Sequence, residues 1–112
     1  MKNKVTRISQ EVKDQVYYYL TVLVGEAQIG HSALKGFDGK YVSGNIVMCP
    51  IGSGKEIRGK TLIITSMVTD VNPNTNLTSV TYKLNDKDIK IVSEKVESDN
   101  SSIFYTTYLG FK

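Results

Sequence analysis

The chain has few of the residues that build covalent, metal or catalytic sites. Its 112 residues include one cysteine, one histidine and no tryptophan. A single cysteine cannot form an internal disulfide, and with one histidine it cannot complete a closed zinc site. No set of nucleophile, base and orienting group is recognisable. We therefore expect a protein that is not an enzyme and has no cofactor or metal.

Long apolar segments are also missing. The run over residues 16–24 is too short to span a bilayer, and Gly25 and Glu26 end it. The N-terminal segment is charged and lacks the apolar stretch of a signal peptide. With Met1 as the native start, this pattern predicts a cytoplasmic protein. A trimmed secreted protein with an added Met would look the same.

The composition is that of one ordinary globular domain over residues 1–112. Hydrophobic residues make up 40% of the chain and charged residues 22%, and the formal net charge is +3. Lysines far outnumber the arginines, which are Arg7 and Arg58. This mild imbalance disfavours nucleic acid as the partner.

Short β-prone runs separated by polar turns fill the sequence. The runs are rich in Val, Ile, Thr and Tyr, and polar clusters at residues 36–39, 86–88 and 98–101 divide them. About seven to eight strands at this spacing predict an all-β fold, an antiparallel β-sandwich that is immunoglobulin-like or jelly-roll-like. The alternative is an α+β fold with an N-terminal helix over residues 9–24, where apolar residues also fall near helical spacing.

Residues 60–85 form the most strand-like stretch, and we expect a β-hairpin with Val68 opposite Val80. Residues 40–49 are expected to be one strand, with Gly44 at a bulge, and residues 50–56 a loop. In the hairpin, two outward side chains, Ile63 and Met67, are too apolar for a bare solvent face. The inward side is predicted to comprise Leu62, Ile64, Ser66, Val68, Val80, Tyr82 and Leu84.

Two loop motifs fall short of known binding signatures. The segment over residues 52–55 lacks the earlier glycine of a phosphate-binding loop, and Glu56 stands where Ser or Thr would bind magnesium. The segment over residues 70–81 has the first oxygen ligands of a calcium loop, but Thr75 and Thr81 replace its glycine and its final acid. Turn formation explains both motifs more simply.

The surplus of tyrosine and apolar positions favours a non-enzymatic protein–protein interaction module. The partner would be another protein or a second copy of the chain, and the size suits an accessory protein of a larger bacterial or phage system. Consecutive tyrosines on a strand cannot all point inward, and tyrosine is favoured at protein contacts. The candidate interaction surface comprises Tyr17, Tyr19, Ile63, Met67 and Tyr108.

Two other functions stay open. A β-sandwich that binds a small ligand or carbohydrate would use loop residues, namely His31, Phe37, Asp38, Asn72, Asn74 and Asn76. A nucleic-acid-binding domain would require one basic face formed by Lys35, Lys40, Lys83, Lys87 and Lys90.

Overall fold

Two β-sheets pack face to face in the computed structural model, which describes residues 2–25, 28–71, 74–98 and 100–112. One sheet has five strands in the order β1-β9-β6-β3-β4, and the other has four in the order β5-β2-β7-β8. The described elements are β1 (Lys2–Gln10), β2 (Tyr17–Val24), β3 (Gln28–Lys35), β4 (Tyr41–Gly44), β5 (Ile46–Ser53), α1 (Gly54–Ile57), β6 (Thr61–Asp70), β7 (Leu77–Leu84), β8 (Lys87–Lys95) and β9 (Ser102–Phe111).

The predicted all-β sandwich is therefore confirmed, with nine strands in place of seven or eight. The alternative helix over residues 9–24 is wrong, because this segment contributes the end of β1 and the whole of β2. Strand β2 is central, between β5 and β7, and accordingly carries apolar residues on both sides. One pair departs from the antiparallel pattern, since β1 runs parallel to β9.

The predicted pairing of the two hairpin strands is wrong, but the prediction of which side chains face the core is confirmed. Strand β6 pairs with β3 and β9, whereas β7 pairs with β2 and β8, so the connection between them crosses from one sheet to the other. All seven side chains predicted to face inward are nevertheless buried. The period-two pattern identifies the side of a strand that enters the core, and two stacked strands satisfy it as well as two paired strands.

The predicted strand over residues 40–49 is likewise divided between the two sheets. Gly44 ends β4 with a φ of 100°, which lets the chain turn through Asn45 into β5 of the opposite sheet. The loop expected over residues 50–56 is instead the end of β5 and the short helix α1. Ser53 and Glu56 form a capping box at the start of that helix.

The core contains three buried hydroxyl pairs among its aliphatic side chains. The oxygens of Ser32 and Ser66 lie 2.6 Å apart. Those of Thr78 and Tyr105 lie 2.5 Å apart, and those of Tyr82 and Thr107 lie 2.6 Å apart. No buried side-chain polar atom in the described part of the chain lacks a hydrogen-bond partner. These bonds offset the cost of burying polar groups.

Candidate functional site

The outward side of the five-stranded sheet is a broad surface on which several large apolar side chains remain exposed. Alternate residues of each strand point away from the core and form what we call the open face. Exposed large apolar side chains recur across it, on β1, β3, β4, β6 and β9. The open face comprises Val5, Arg7, Ile29, His31, Ala33, Lys35, Tyr41, Ile63, Thr65, Met67, Phe104, Thr106 and Tyr108.

One row of the open face combines cations with aromatic and aliphatic groups. Tyr108 lies opposite Ile63 on one side and opposite Arg7 on the other. The Arg7 guanidinium sits 4.5 Å from the centre of the Tyr108 ring, a cation–π contact. Across the sheet, Lys35 lies opposite Tyr41 with its ammonium 5.5 Å from that ring. The row thus presents two cations, Arg7 and Lys35, with Tyr108 and Ile63 on the strands between them and Tyr41 at the sheet edge beyond Lys35.

A second row of the open face places Phe104 beside Met67, with His31 on the far side of Met67 in the strand register. Phe104 is 42% exposed, and nearby Ile29 is 65% exposed. Side chains of this size normally lie inside a protein or against a partner when several of them are contiguous. This row therefore extends the apolar part of the open face.

The charges on the open face are of one sign. Arg7 and Lys35 contribute positive charge, and none of the residues that define the face is Asp or Glu. At the neighbouring sheet edge, by contrast, the Lys2 and Lys4 ammonium groups lie 3.3 and 3.9 Å from the Glu94 carboxylate. The hydrogen bond from Lys2 lowers the pKa of Glu94 below its ordinary value. These lysines are paired with a carboxylate, whereas the cations of the open face rest on aromatic rings.

The residues of the predicted interaction surface divide between two sides of the sandwich. Ile63, Met67 and Tyr108 lie together on the open face, as β6 and β9 are neighbours. Tyr17 and Tyr19 lie on the outward side of the four-stranded sheet, with ring centres 5.2 Å apart. Sequence reasoning missed the other large apolar groups of the open face, because it could not tell which strands are neighbours. Those residues are Val5, Ile29, Tyr41 and Phe104.

The predicted ligand loop residues do not come together. Phe37 and Asp38 follow the end of β3, while His31 lies within that strand on the open face. Asn74 and Asn76 precede β7, at the end of the sandwich where the last residue of β6 pairs with the first of β3. Asn72 lies outside the described residues. The five described residues therefore do not form one site as a set.

The lysines that a nucleic-acid face would require are also separated. Lys35 is the last residue of β3 and Lys40 directly precedes β4, both in the five-stranded sheet. The other three belong to strands of the four-stranded sheet, namely Lys83, Lys87 and Lys90. In addition, the Lys83 ammonium lies 3.5 Å from a carboxylate oxygen of Asp88.

Cavities occur at both ends of the sandwich. A cavity of about 730 Å³ beside the turn between β8 and β9 is lined by Lys2, Val96, Glu97, Ser101 and Ser102. A smaller cavity of about 270 Å³ at the other end has Tyr17, Phe37, Asp38, Glu56 and Lys60 among its lining residues. Burial, and secondarily the Asp38 charge, raises the pKa of the nearby Cys49 thiol. The described residues contain no acidic, His or Cys cluster suited to a metal ion.

Comparison with known proteins adds no function to this description. No family model matches the chain, and neither a curated protein nor a solved structure is significantly similar to it. Among the described residues, no helix has the length and apolar character needed to cross a membrane.

Proposed function

We propose that the protein is a binding module whose open face holds an acidic surface or segment of another protein. The observation that supports this proposal is the combination of exposed apolar groups with two cations, Arg7 and Lys35, that form no ion pair with a carboxylate of the described residues. Ile63, Phe104 and Ile29 are each more than two-fifths exposed. Fully burying a side chain of this kind contributes about 1.5–3 kcal/mol, so covering the part that is still exposed contributes roughly half of that for each residue. Several such residues together make the apolar part of the face the energetic centre of the contact.

The charge pattern favours a carboxylate-bearing partner over a second copy. Two open faces brought together would bury Arg7 and Lys35 with no acidic residue of the same face to receive them. Buried cations without counter-charges are costly, whereas complementary charges raise both the rate and the selectivity of association. The separation of the lysines across two sheets counts against nucleic acid, since phosphate contacts dominate affinity in such complexes.

Site-specific photo-crosslinking in the producing organism tests this proposal. A photoreactive amino acid is placed at Ile63 or Phe104 on the open face, and at Val47 or Ile91 as controls. The controls are 63% and 59% exposed and lie on β5 and β8 of the other sheet, so they match the test positions in exposure. We expect one discrete protein adduct at both test positions and none of that adduct at the controls.

Charge reversal then separates the alternatives. In the R7E/K35E variant the adduct should be lost, because the partner's carboxylates would meet new carboxylates. An adduct whose mass equals two copies of this chain would replace the proposal with self-association. An adduct that forms equally at Val47, or that survives charge reversal unchanged, would contradict the proposed face.

A further inference from the structure

The smaller cavity, at the end of the sandwich where α1 lies, borders the open face and has a different chemistry. It opens between the turn after β3 and the segment formed by the end of β5 with α1, and its volume is about 270 Å³. We propose that this cavity binds a neutral sugar ring. The lining residues that carry the argument are Tyr17, Phe37, Asp38, Gly52, Glu56 and Lys60.

Glu56 is held in place by the backbone that precedes it. The Ser53 N–H donates to one oxygen of the Glu56 carboxylate at 3.0 Å, and the Glu56 N–H donates to the Ser53 hydroxyl at 3.2 Å. The backbone hydrogen bond from Ser53 lowers the pKa of Glu56, so this carboxylate is ionised at neutral pH. Beside Glu56, the cavity wall is formed by Gly52. A Cβ on Gly52 would lie 3.0 Å from Ile57 Cγ2, and its φ of 128° disfavours a side chain.

Asp38 and Lys60 supply the other polar groups. The Lys40 N–H donates to Asp38 Oδ1 at 3.0 Å, which fixes the Asp38 carboxylate in the turn after β3. The Lys60 ammonium lies 5.4 Å from the centre of the Phe37 ring, and its charge also acts on Glu56. The cavity therefore has two anchored hydrogen-bond acceptors and one cationic donor beside an aromatic ring.

This set of groups matches a sugar better than other small ligands. Sugar hydroxyls both donate and accept hydrogen bonds, so they can use the carboxylates of Asp38 and Glu56 together with the Lys60 ammonium. The apolar face of a sugar ring can pack on Tyr17, which is 47% exposed. Two carboxylates disfavour an anion, and Lys60 already places a cation there. The volume is near the lower limit of about 300 Å³ for ligand pockets, which suits one ring.

Amide chemical-shift titration of the full chain with single sugars tests the proposal. The probes are the methyl glycosides of glucose, galactose, mannose and N-acetylglucosamine, added separately. At least one should give saturable shifts that centre on Gly52, Glu56 and Lys60. Tyr17→Ala should weaken that binding roughly tenfold, the scale of a lost aromatic contact. Tyr108→Ala is the control, since Tyr108 lies on β9 of the other sheet and does not line the cavity.

A second variant addresses the polar groups without disturbing the fold. Asp38→Asn and Glu56→Gln together keep the turn and the capping box, in which Gln can replace Glu, but remove both charges. Sugar binding should weaken at least tenfold. Absence of saturable shifts with all four glycosides would overturn the proposal. So would binding that the double variant leaves unchanged, or saturable shifts at this cavity with choline chloride and none with the glycosides.

Discussion

The interior of the sandwich contains a few buried polar groups, whereas its open face contains several exposed apolar ones. Inside, hydroxyls such as those of Tyr82 and Thr107 are fully buried, yet each hydrogen bonds to the other. Outside, Ile63 and Phe104 are large and apolar, yet each remains more than two-fifths exposed. The buried polar groups thus have partners within the molecule. The exposed apolar groups of the open face are only partly covered within the molecule, and together with the cations beside them they mark the surface where we expect a partner.

Two adjacent isoleucines give the sharpest test of this comparison. Ile64 is fully buried and Ile63 is 51% exposed, although they are neighbours on β6. Ile64→Ala should lower the free energy of unfolding by about 2–5 kcal/mol through lost burial and a residual cavity. Ile63→Ala should lower it by about 1 kcal/mol or less, the scale of a lost cross-strand contact and strand propensity. Urea denaturation followed by circular dichroism measures both.

The same pair should behave in the opposite way in binding. Ile63→Ala should reduce crosslinking from position 104, while the effect of Ile64→Ala should be confined to stability. Equal destabilisation by the two substitutions would mean that another part of the chain covers the open face. The outward side of β6 would then not be an open surface.

The buried hydroxyl pair predicts a smaller but specific effect. Tyr82→Phe should cost about 1–3 kcal/mol, because it leaves the Thr107 hydroxyl buried without its partner. The double variant with Thr107→Val should be less destabilised than the sum of the two single variants, since it removes both polar groups. A double-mutant cycle by urea denaturation measures this coupling. Strict additivity would contradict the hydrogen bond between these side chains.

The sequence predicted which sides of the strands enter the core but not how the strands pair. Alternation correctly assigned Ile64, Val68 and Tyr82 to the interior, because side-chain burial has a period of two. Pairing depends on contacts between distant segments, such as the parallel pair that joins β1 to β9, and no local pattern encodes it. The open face was therefore only partly predictable. Ile63 and Met67 were recognised, whereas Phe104 requires the knowledge that β9 lies beside β6.

The cation–π contact at the margin of the open face should have a modest effect on stability. Arg7→Ala is expected to lower the free energy of unfolding by about 0.5–1 kcal/mol, the range for an exposed contact of this type. Arg7→Lys should retain part of it, since a cation remains but the planar stacking is lost. Thermal unfolding of the three proteins measures the order. Equal stability of Arg7→Ala and wild type would show that the contact between Arg7 and Tyr108 does not stabilise the fold, so that Arg7 could leave the ring to bind a partner without loss of stability.

The smallest predicted effect is that of Glu56, an exposed carboxylate that accepts a hydrogen bond from the Ser53 N–H. Its folded-state pKa lies below the ordinary value of 4.5, so the unfolded chain binds more protons at mildly acidic pH. Its contribution to stability should be complete above the unfolded pKa and be lost as pH falls through the lower, folded pKa. Thermal unfolding measured across this acidic range should show a smaller pH dependence for Glu56→Gln, which keeps the capping box but cannot ionise. Ser53→Ala, which keeps the carboxylate and its backbone donor, should retain part of the dependence. If the pH dependence of stability is the same in Glu56→Gln as in the wild type, it arises from other carboxylates. Glu94, whose pKa is lowered by Lys2, would then be the next residue to replace.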